Sequence, residues 1–375
     1  MIANKTEKQK KSLPPKYIAF LAIGVTLTLL LVSLLVNYLF YFAKANNGEH
    51  FNFQNSNHLT AFIFMIFAVL LILVFLVFIV LKVSKKAALE TEENLFKAST
   101  VGYVSSFTDT IGIGSFAVSV AGLNLIKSVR NVKKLPGTLN LGLAIPNLVT
   151  GVLFVSAIQV ELATLISLVF AAVLGAFCSA RIVGKVNKKF VALFVSICLL
   201  VAGIFMILGQ VELFGTSGTK GLHNWKLAVG IIAFFIIGGL QSFGIGLYAP
   251  ALAVVSLLGM ETIIAFPIMT CASGFAMPAT ALSFYKDQNY SPKVVCGLLI
   301  GGVCGTVSAF FIIFVGIQGG LGIEMSTFTY YIKWIAIAVM FYASMMLLRN
   351  YFVLKKESQN VVGQSVEKEL KKKSL

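Results

Sequence analysis

Charge is scarce in this chain of 375 residues: Asp, Glu, Lys and Arg make up only 12% of it, and just 14 residues are acidic. So few charges do not give a chain of this length a hydrated surface, and 58% hydrophobic residues lies beyond the range of soluble domains. Mean hydropathy is +0.91. Histidine is scarcer still, and His50, His58 and His223 fall in expected outer loops with no role assigned to them. The five cysteines, Cys178, Cys198, Cys271, Cys296 and Cys304, sit in apolar stretches without metal-ligand spacing, so they read as packing residues rather than metal ligands or disulfides. His-Glu-x-x-His and Gly-x-Ser-x-Gly patterns are lacking, and no second carboxylate sits in an apolar stretch to make a dyad. Neither enzyme chemistry nor a cofactor is expected.

What the chain does have is ten apolar stretches of about 19 residues or more, each enough to cross roughly 30 Å of hydrocarbon as a helix. The expected fold class is an all-α polytopic membrane protein. Residues 17–43 follow a lysine-rich tail, but their apolar part is too long for a signal peptide and lacks a small-residue cleavage site. A second apolar run begins at Thr60, so 17–43 is read as an uncleaved span. A net charge of +16 would suggest nucleic acid in a soluble protein. Here the basic residues flank apolar runs, where they hold loops on the cytoplasmic side, so the partner they imply is the lipid bilayer and not nucleic acid.

The positions of those basic residues choose between topologies. If 98–126 and 227–260 enter the bilayer and turn back, eight stretches cross and 26 of the 30 Lys and Arg lie inside; only Lys44, Lys220, Lys226 and Lys333 stay outside. If both stretches cross, the clusters at 127–134 and 181–189 move outside and the split falls to 20 against 10. The positive-inside rule favours the re-entrant reading, with both termini cytoplasmic in the plasma membrane. Backbone broken at membrane depth is tolerated only where protein buries it or where it lines a wet cavity, so the breaks mark an expected site.

Sliding the chain on itself by 132 residues aligns Gly112, Ile113, Gly114, Ala117, Ala121, Thr138, Gly142, Ala144 and Pro146 with Gly244, Ile245, Gly246, Ala249, Ala253, Thr270, Gly274, Ala276 and Pro278. Each copy is then a broken hairpin followed by three crossings. Three being odd, the copies are inverted, an arrangement many secondary transporters use for alternating access. The expected layout is a basic tail at 1–16, a two-helix extension at 17–97, repeats at 98–208 and 227–352, and a basic tail at 353–375.

Each Gly-Ile-Gly lets one half-helix end and another begin, and the N–H groups that start the second half-helix suit an anion. Close helix packing is the plainer reading of such glycines. Gly112, Ile113, Gly114 and Ser115, with Gly244, Ile245, Gly246 and Tyr248, are the expected substrate-binding residues. Thr138, Asn140 and Thr270, on the helices that follow, are candidates to complete the shell, as are Asn147 and Ser273. Asp109 is the one carboxylate in an expected intramembrane segment, with Gln241 at the equivalent place. An ionised carboxylate there costs about 2.5 to 3.5 kcal/mol, so both positions are candidates for coupling to H⁺ or Na⁺, a structural acid being the alternative.

These residues resemble the TauE/SafE sulfite exporter family of anion permeases. Ser106 to Gly114 is similar to the family's Gly-Phe-Ile-Asp-Ser-Ile segment with its following glycines, and Ala249-Pro250-Ala251-Leu252 to its Pro-Ala-Leu tail. Residues 258–267 also resemble the second repeat. The likeness spans about 98 to 352; the glycine run is reduced in both copies, and Val118 stands where the family usually has proline. The resemblance implies transport of sulfite, sulfonates, thiosulfate or small organic anions, driven by a proton or sodium gradient, by a monomer or homodimer. An anion channel and a non-transporting structural subunit are the alternatives, distinguished by single-channel currents without gradient coupling and by absence of translocation.

Overall fold

In the computed structural model the described residues are 14–38, 56–182 and 218–313, apart from 113, 130, 132, 133, 158, 159, 245, 262 and 263, together with scattered positions between 193 and 207 and between 316 and 356. Every extended element among them is a helix. Among the described residues seven helical runs are long and apolar enough to cross a membrane: Pro15–Val36, Ala61–Leu89, Leu135–Phe154, Leu162–Ile182, Asn224–Gln241, Ala265–Lys286 and Pro292–Ile313. The chain is an all-helical, multi-pass membrane protein. Two of the expected crossings, 190–208 in the first repeat and 329–351 in the second, are described only at scattered positions.

Helix α1 is Pro15–Asn37, and α2 is Ser56–Phe78. A wider helical turn, Ile79–Val83, carries α2 into α3, Ser84–Leu89, so the second span runs on to Leu89. Large apolar side chains such as Phe20, Leu31 and Val74 stay exposed on α1 and α2, which suits a surface solvated by lipid. Against the rest of the chain, Phe64 and Phe67 of α2 pack on Phe275 at 5.9 and 5.4 Å.

Both glycine-containing stretches are broken. The first forms α4, Leu95–Thr110, and α5, Ser115–Leu125. It begins three residues before the expected 98 because Asn94 caps it, its side chain accepting from Lys97 N at 3.2 Å. The second forms α8, Asn224–Gln241, and α9, Tyr248–Leu257. The chain enters and leaves each pair at one end. Glu93, just before α4, accepts from Val129 N, beyond α5, at 2.8 Å. Thr219, before α8, donates its N–H to Gly259 O, beyond α9, at 3.1 Å.

Between these pairs run α6, Leu135–Ala157, and α10, Ala265–Lys286, each with an internal proline, Pro146 and Pro278. Their apolar windows are the most deeply buried of the seven spans. Helices α7, Leu162–Ile182, and α11, Pro292–Ala309, complete the assembly. The long limb of each broken pair packs on a helix distant in sequence: α4 along α11, and α8 along α7. The contacts are backbone to backbone. A side-chain carbon added to Gly301 would lie 1.8 Å from Ser99 O, and one on Gly238 would lie 2.1 Å from Ala172 O. Lipid offers no hydrophobic drive to bring helices together, so small residues that permit such approach supply the packing.

A polar strap joins the peripheral helices to this centre. Lys86 of α3 donates to Gln288 Oε1 at 2.6 Å. Glu90 accepts from the Ser291 hydroxyl at 2.8 Å and from Lys293 N at 2.7 Å, at the start of α11. Of the cysteines, Cys178, Cys271, Cys296 and Cys304 are free thiols, and Cys198 lies outside the described residues.

Candidate functional site

The first break runs from Ile111 to Gly114. Gly112 N donates to Asp109 O at 2.8 Å, closing α4, and the chain then turns through left-handed backbone at Gly112 (φ 93°) and Gly114 (φ 89°). A side chain at either position is strained, so glycine is required there by conformation. In the second break Gly244 N donates to Gln241 O at 3.0 Å, and Gly244 has φ 82°. Gly246 does not adopt the left-handed region; it lies against Phe116 of α5, which brings the two breaks together. Ile113 and Ile245 lie outside the described residues.

Asp109, the last residue but one of α4, is 1% exposed. Its Oδ1 accepts from Ser115 N, the first N–H of α5. The carboxylate therefore caps the half-helix that follows it, using an N–H expected to be free for a solute. No cation pairs with it among the described residues. Beside it stands the Tyr248 hydroxyl, at the start of α9, which interacts with the carboxyl group and donates to Asn147 Oδ1 at 3.5 Å.

From Asn147 the polar contacts continue across the centre. Asn147 Nδ2 donates to Ser273 Oγ at 3.2 Å, and Gln241 Nε2 donates to the same oxygen at 2.8 Å. Asp109 and Gln241, equivalent under the 132-residue shift, are thus linked through Tyr248, Asn147 and Ser273. All five side chains are buried.

The remaining expected residues hold the frame. Thr138 donates to Lys134 O at 2.7 Å and accepts from Ser291 N at 2.9 Å, tying the start of α6 to the start of α11. Asn140 donates to Gln241 O at 3.2 Å and accepts from Thr280 at 2.7 Å, so it supports the end of α8. Thr270 bonds to Phe266 O of its own helix at 2.8 Å.

Two residues that the sequence reading did not single out, Ser106 and Ser119, join the candidates. Ser106 Oγ, Asp109 Oδ2, Ser119 Oγ and Gln241 Oε1 are all buried and have no hydrogen-bond partner among the described residues. Each such atom costs about 1 to 3 kcal/mol if nothing pairs with it. Four on the two broken pairs are what a site completed by water or a polar solute requires. Spacing carried the signal: Ser106 is one turn before Asp109, and Ser119 one turn after Ser115. Among the described residues no three His, Cys, Asp or Glu side chains come together to hold a metal. No family model, curated protein or solved structure matches the chain.

Proposed function

We propose that this protein is a secondary transporter which moves a small anion, such as a sulfonate, sulfite, thiosulfate or small organic acid, across the plasma membrane by alternating access. The observation that carries the reading is the set of unpaired buried polar atoms at two breaks in contact with each other. Backbone broken at membrane depth is tolerated where protein buries it or where it lines a wet cavity, and the polar atoms left over here are those a solute in such a cavity would satisfy.

In this reading the pairs α4/α5 and α8/α9 are re-entrant hairpins that head two inverted repeats. Adding 132 to the bounds of α5 gives 247–257, against Tyr248–Leu257 for α9. The hairpins open toward opposite ends of the central helix. Gly137, at the start of α6, abuts Asn289 O in the turn that Glu90 and Lys86 also reach. Glu161, beyond the other end of α6, donates its N–H to Lys220 O, beside the Thr219 and Gly259 contact. By length alone α8 would cross the membrane. The return of α9 along it, and the placing of Lys127, Lys134 and Arg181 inside, favour the hairpin.

The anion sits between the breaks, on the side of α9. There the equivalent of Asp109 is the neutral Gln241, so no carboxylate of the protein takes the positive end of the half-helix. Purified protein in proteoliposomes tests the reading, with thiosulfate, sulfite and methanesulfonate offered on one side. Gly112→Leu and Gly244→Leu, checked for folding by size exclusion, are expected to lose translocation. Unchanged transport of every anion by both variants would sink the assignment.

A further inference from the structure

Where α2 meets the central helices, the side chains leave a crevice unfilled. Met65 and Ala68 of α2, Gly151 and Val152 of α6, and Cys271 and Phe275 of α10 line it. Its free volume is about 10 Å³, near the least that holds a group the size of water, so a single methyl or methylene group fits. Of these six residues only Met65 is not buried, and its neighbours Ile63, Ile66 and Phe67 are exposed. The crevice therefore opens beside α2, on the surface that lipid solvates.

Gly151 keeps the crevice open. A side-chain carbon there would stand 3.5 Å from Cys271 Sγ, an ordinary contact. On the same two helices, one added to Gly142 would lie 2.8 Å from Leu298 Cβ, and one on Gly274 would lie 3.1 Å from Leu148 N. Close packing thus accounts for those glycines and not for Gly151, where alanine would fit and would favour the helix.

The three helices set the depth of the crevice. Leu148 abuts Gly274 and Gly151 faces Cys271, so α6 and α10 run antiparallel. Phe64 packs on Phe275 and Phe78 on Tyr285, so α2 and α10 run parallel. The end of α6 and the starts of α2 and α10 consequently lie at one face. At about 1.5 Å per residue, Gly151 is about 9 Å below Ala157, Cys271 about 9 Å below Ala265 and Met65 about 14 Å below Ser56. One leaflet contributes about 15 Å of hydrocarbon, so the crevice lies where acyl chains end.

Water does not suit such a space. It needs about two to four polar partners, and the lining side chains offer only the weak donor of Cys271 and the thioether of Met65. Left empty, the lining forfeits its dispersion contacts on that side. We propose that the crevice is a lipid-binding site, filled by the end of an acyl chain of a bilayer phospholipid, whether or not the protein is a transporter. The chain end packs the second span against the helices that carry the candidate site. Leu148, which also lines the crevice, follows Asn147 in sequence, and Cys271 faces Tyr248.

Photocrosslinking of the full-length chain in proteoliposomes tests this. Two phosphatidylglycerols are compared, one with a diazirine at the end of an acyl chain and one with it next to the carbonyl. Mass spectrometry is expected to find Cys271, which is 3% exposed, labelled by the first lipid and spared by the second. Gly151→Leu, which fills the crevice, is expected to lose the label at Cys271 while exposed Ile66 keeps it. Equal labelling of Cys271 by both lipids, or a label that persists in Gly151→Leu, overturns the proposal. So does a natural protein labelled at Ile66 and not at Cys271, the result expected if a second copy or another segment of this chain covers the opening. If Gly151→Leu does not fold, the contrast between the two lipids in the natural protein decides alone.

Discussion

Asn147 on α6 donates to Ser273 on α10 at 3.2 Å, a polar bond between the two proline-containing central helices that Gln241 and Tyr248, on either side of the second break, both join. Asn147→Leu leaves Ser273 and Tyr248 each short of a partner. A loss of about 1 to 3 kcal/mol of stability is expected, together with weakened anion transport. Ser273→Ala removes a smaller group and is expected to cost less stability while impairing transport equally, because it frees the Gln241 amide. Thermal unfolding in detergent and proteoliposome uptake separate the two effects.

The close seams make a second prediction. At Gly238 and Gly301 an added methyl would meet the backbone of the neighbouring helix, at Ala172 and Ser99. Gly238→Ala and Gly301→Ala are each expected to destabilise by about 1 to 3 kcal/mol through forced separation of the helices. Gly24 in α1 has open space around it, so Gly24→Ala is expected to be neutral or stabilising by up to about 1 kcal/mol. Equal melting temperatures for all three would contradict the seam.

Glu90 and Glu93 fasten the linker between α3 and α4 to different partners, Glu90 to Ser291 and Lys293 and Glu93 to Ser128 and Val129. Each substitution to Ala removes two bonds to a carboxylate and is expected to cost about 1.5 to 3 kcal/mol. Because they hold different segments, the two losses should add within about 0.5 kcal/mol in the double variant. Denaturation of the single and double variants measures this.

Tyr290, in the turn before α11, is 2% exposed with an unpaired hydroxyl among the described residues, its ring 5.8 Å from that of Tyr285. Burial pushes its ionisation up to about 12, so the hydroxyl stays neutral and no change from this group is expected below that pH. Tyr290→Phe removes the unpaired oxygen and keeps the ring contact. Its melting temperature is expected to match or exceed that of the natural protein.

Single cysteines at Lys85, Lys134 and Lys220, in a background freed of the native cysteines, test the topology. A membrane-impermeant maleimide applied outside intact cells is expected to label the residue at 220 and spare those at 85 and 134. Labelling of 134 with 220 would undo the hairpin reading of 98–126.

The helical class, the membrane environment and the two breaks were legible in the sequence because each depends on local chemistry. Apolar length sets what crosses lipid, and glycine spacing sets where a helix can stop, as at Gly112, Gly114 and Gly244. The boundaries at Asn94 and His223 were misplaced by three residues, since a cap is decided by a single side chain or backbone angle and not by hydropathy. Thr138 and Thr270 were grouped with the site on spacing alone. Thr270 turns back to Phe266 O of its own helix, whereas the bond of Thr138 to Ser291 N depends on a neighbour that only the folded chain supplies. The same holds for the division of labour within Asp109, one oxygen capping α5 and the other unpaired. Sequence by itself determined that a carboxylate stands beside a broken helix in an apolar chain. Tertiary structure decided that Tyr248, Asn147 and Ser273 connect it to Gln241, because contacts between residues 32 to 139 positions apart arise from packing, which no local pattern encodes.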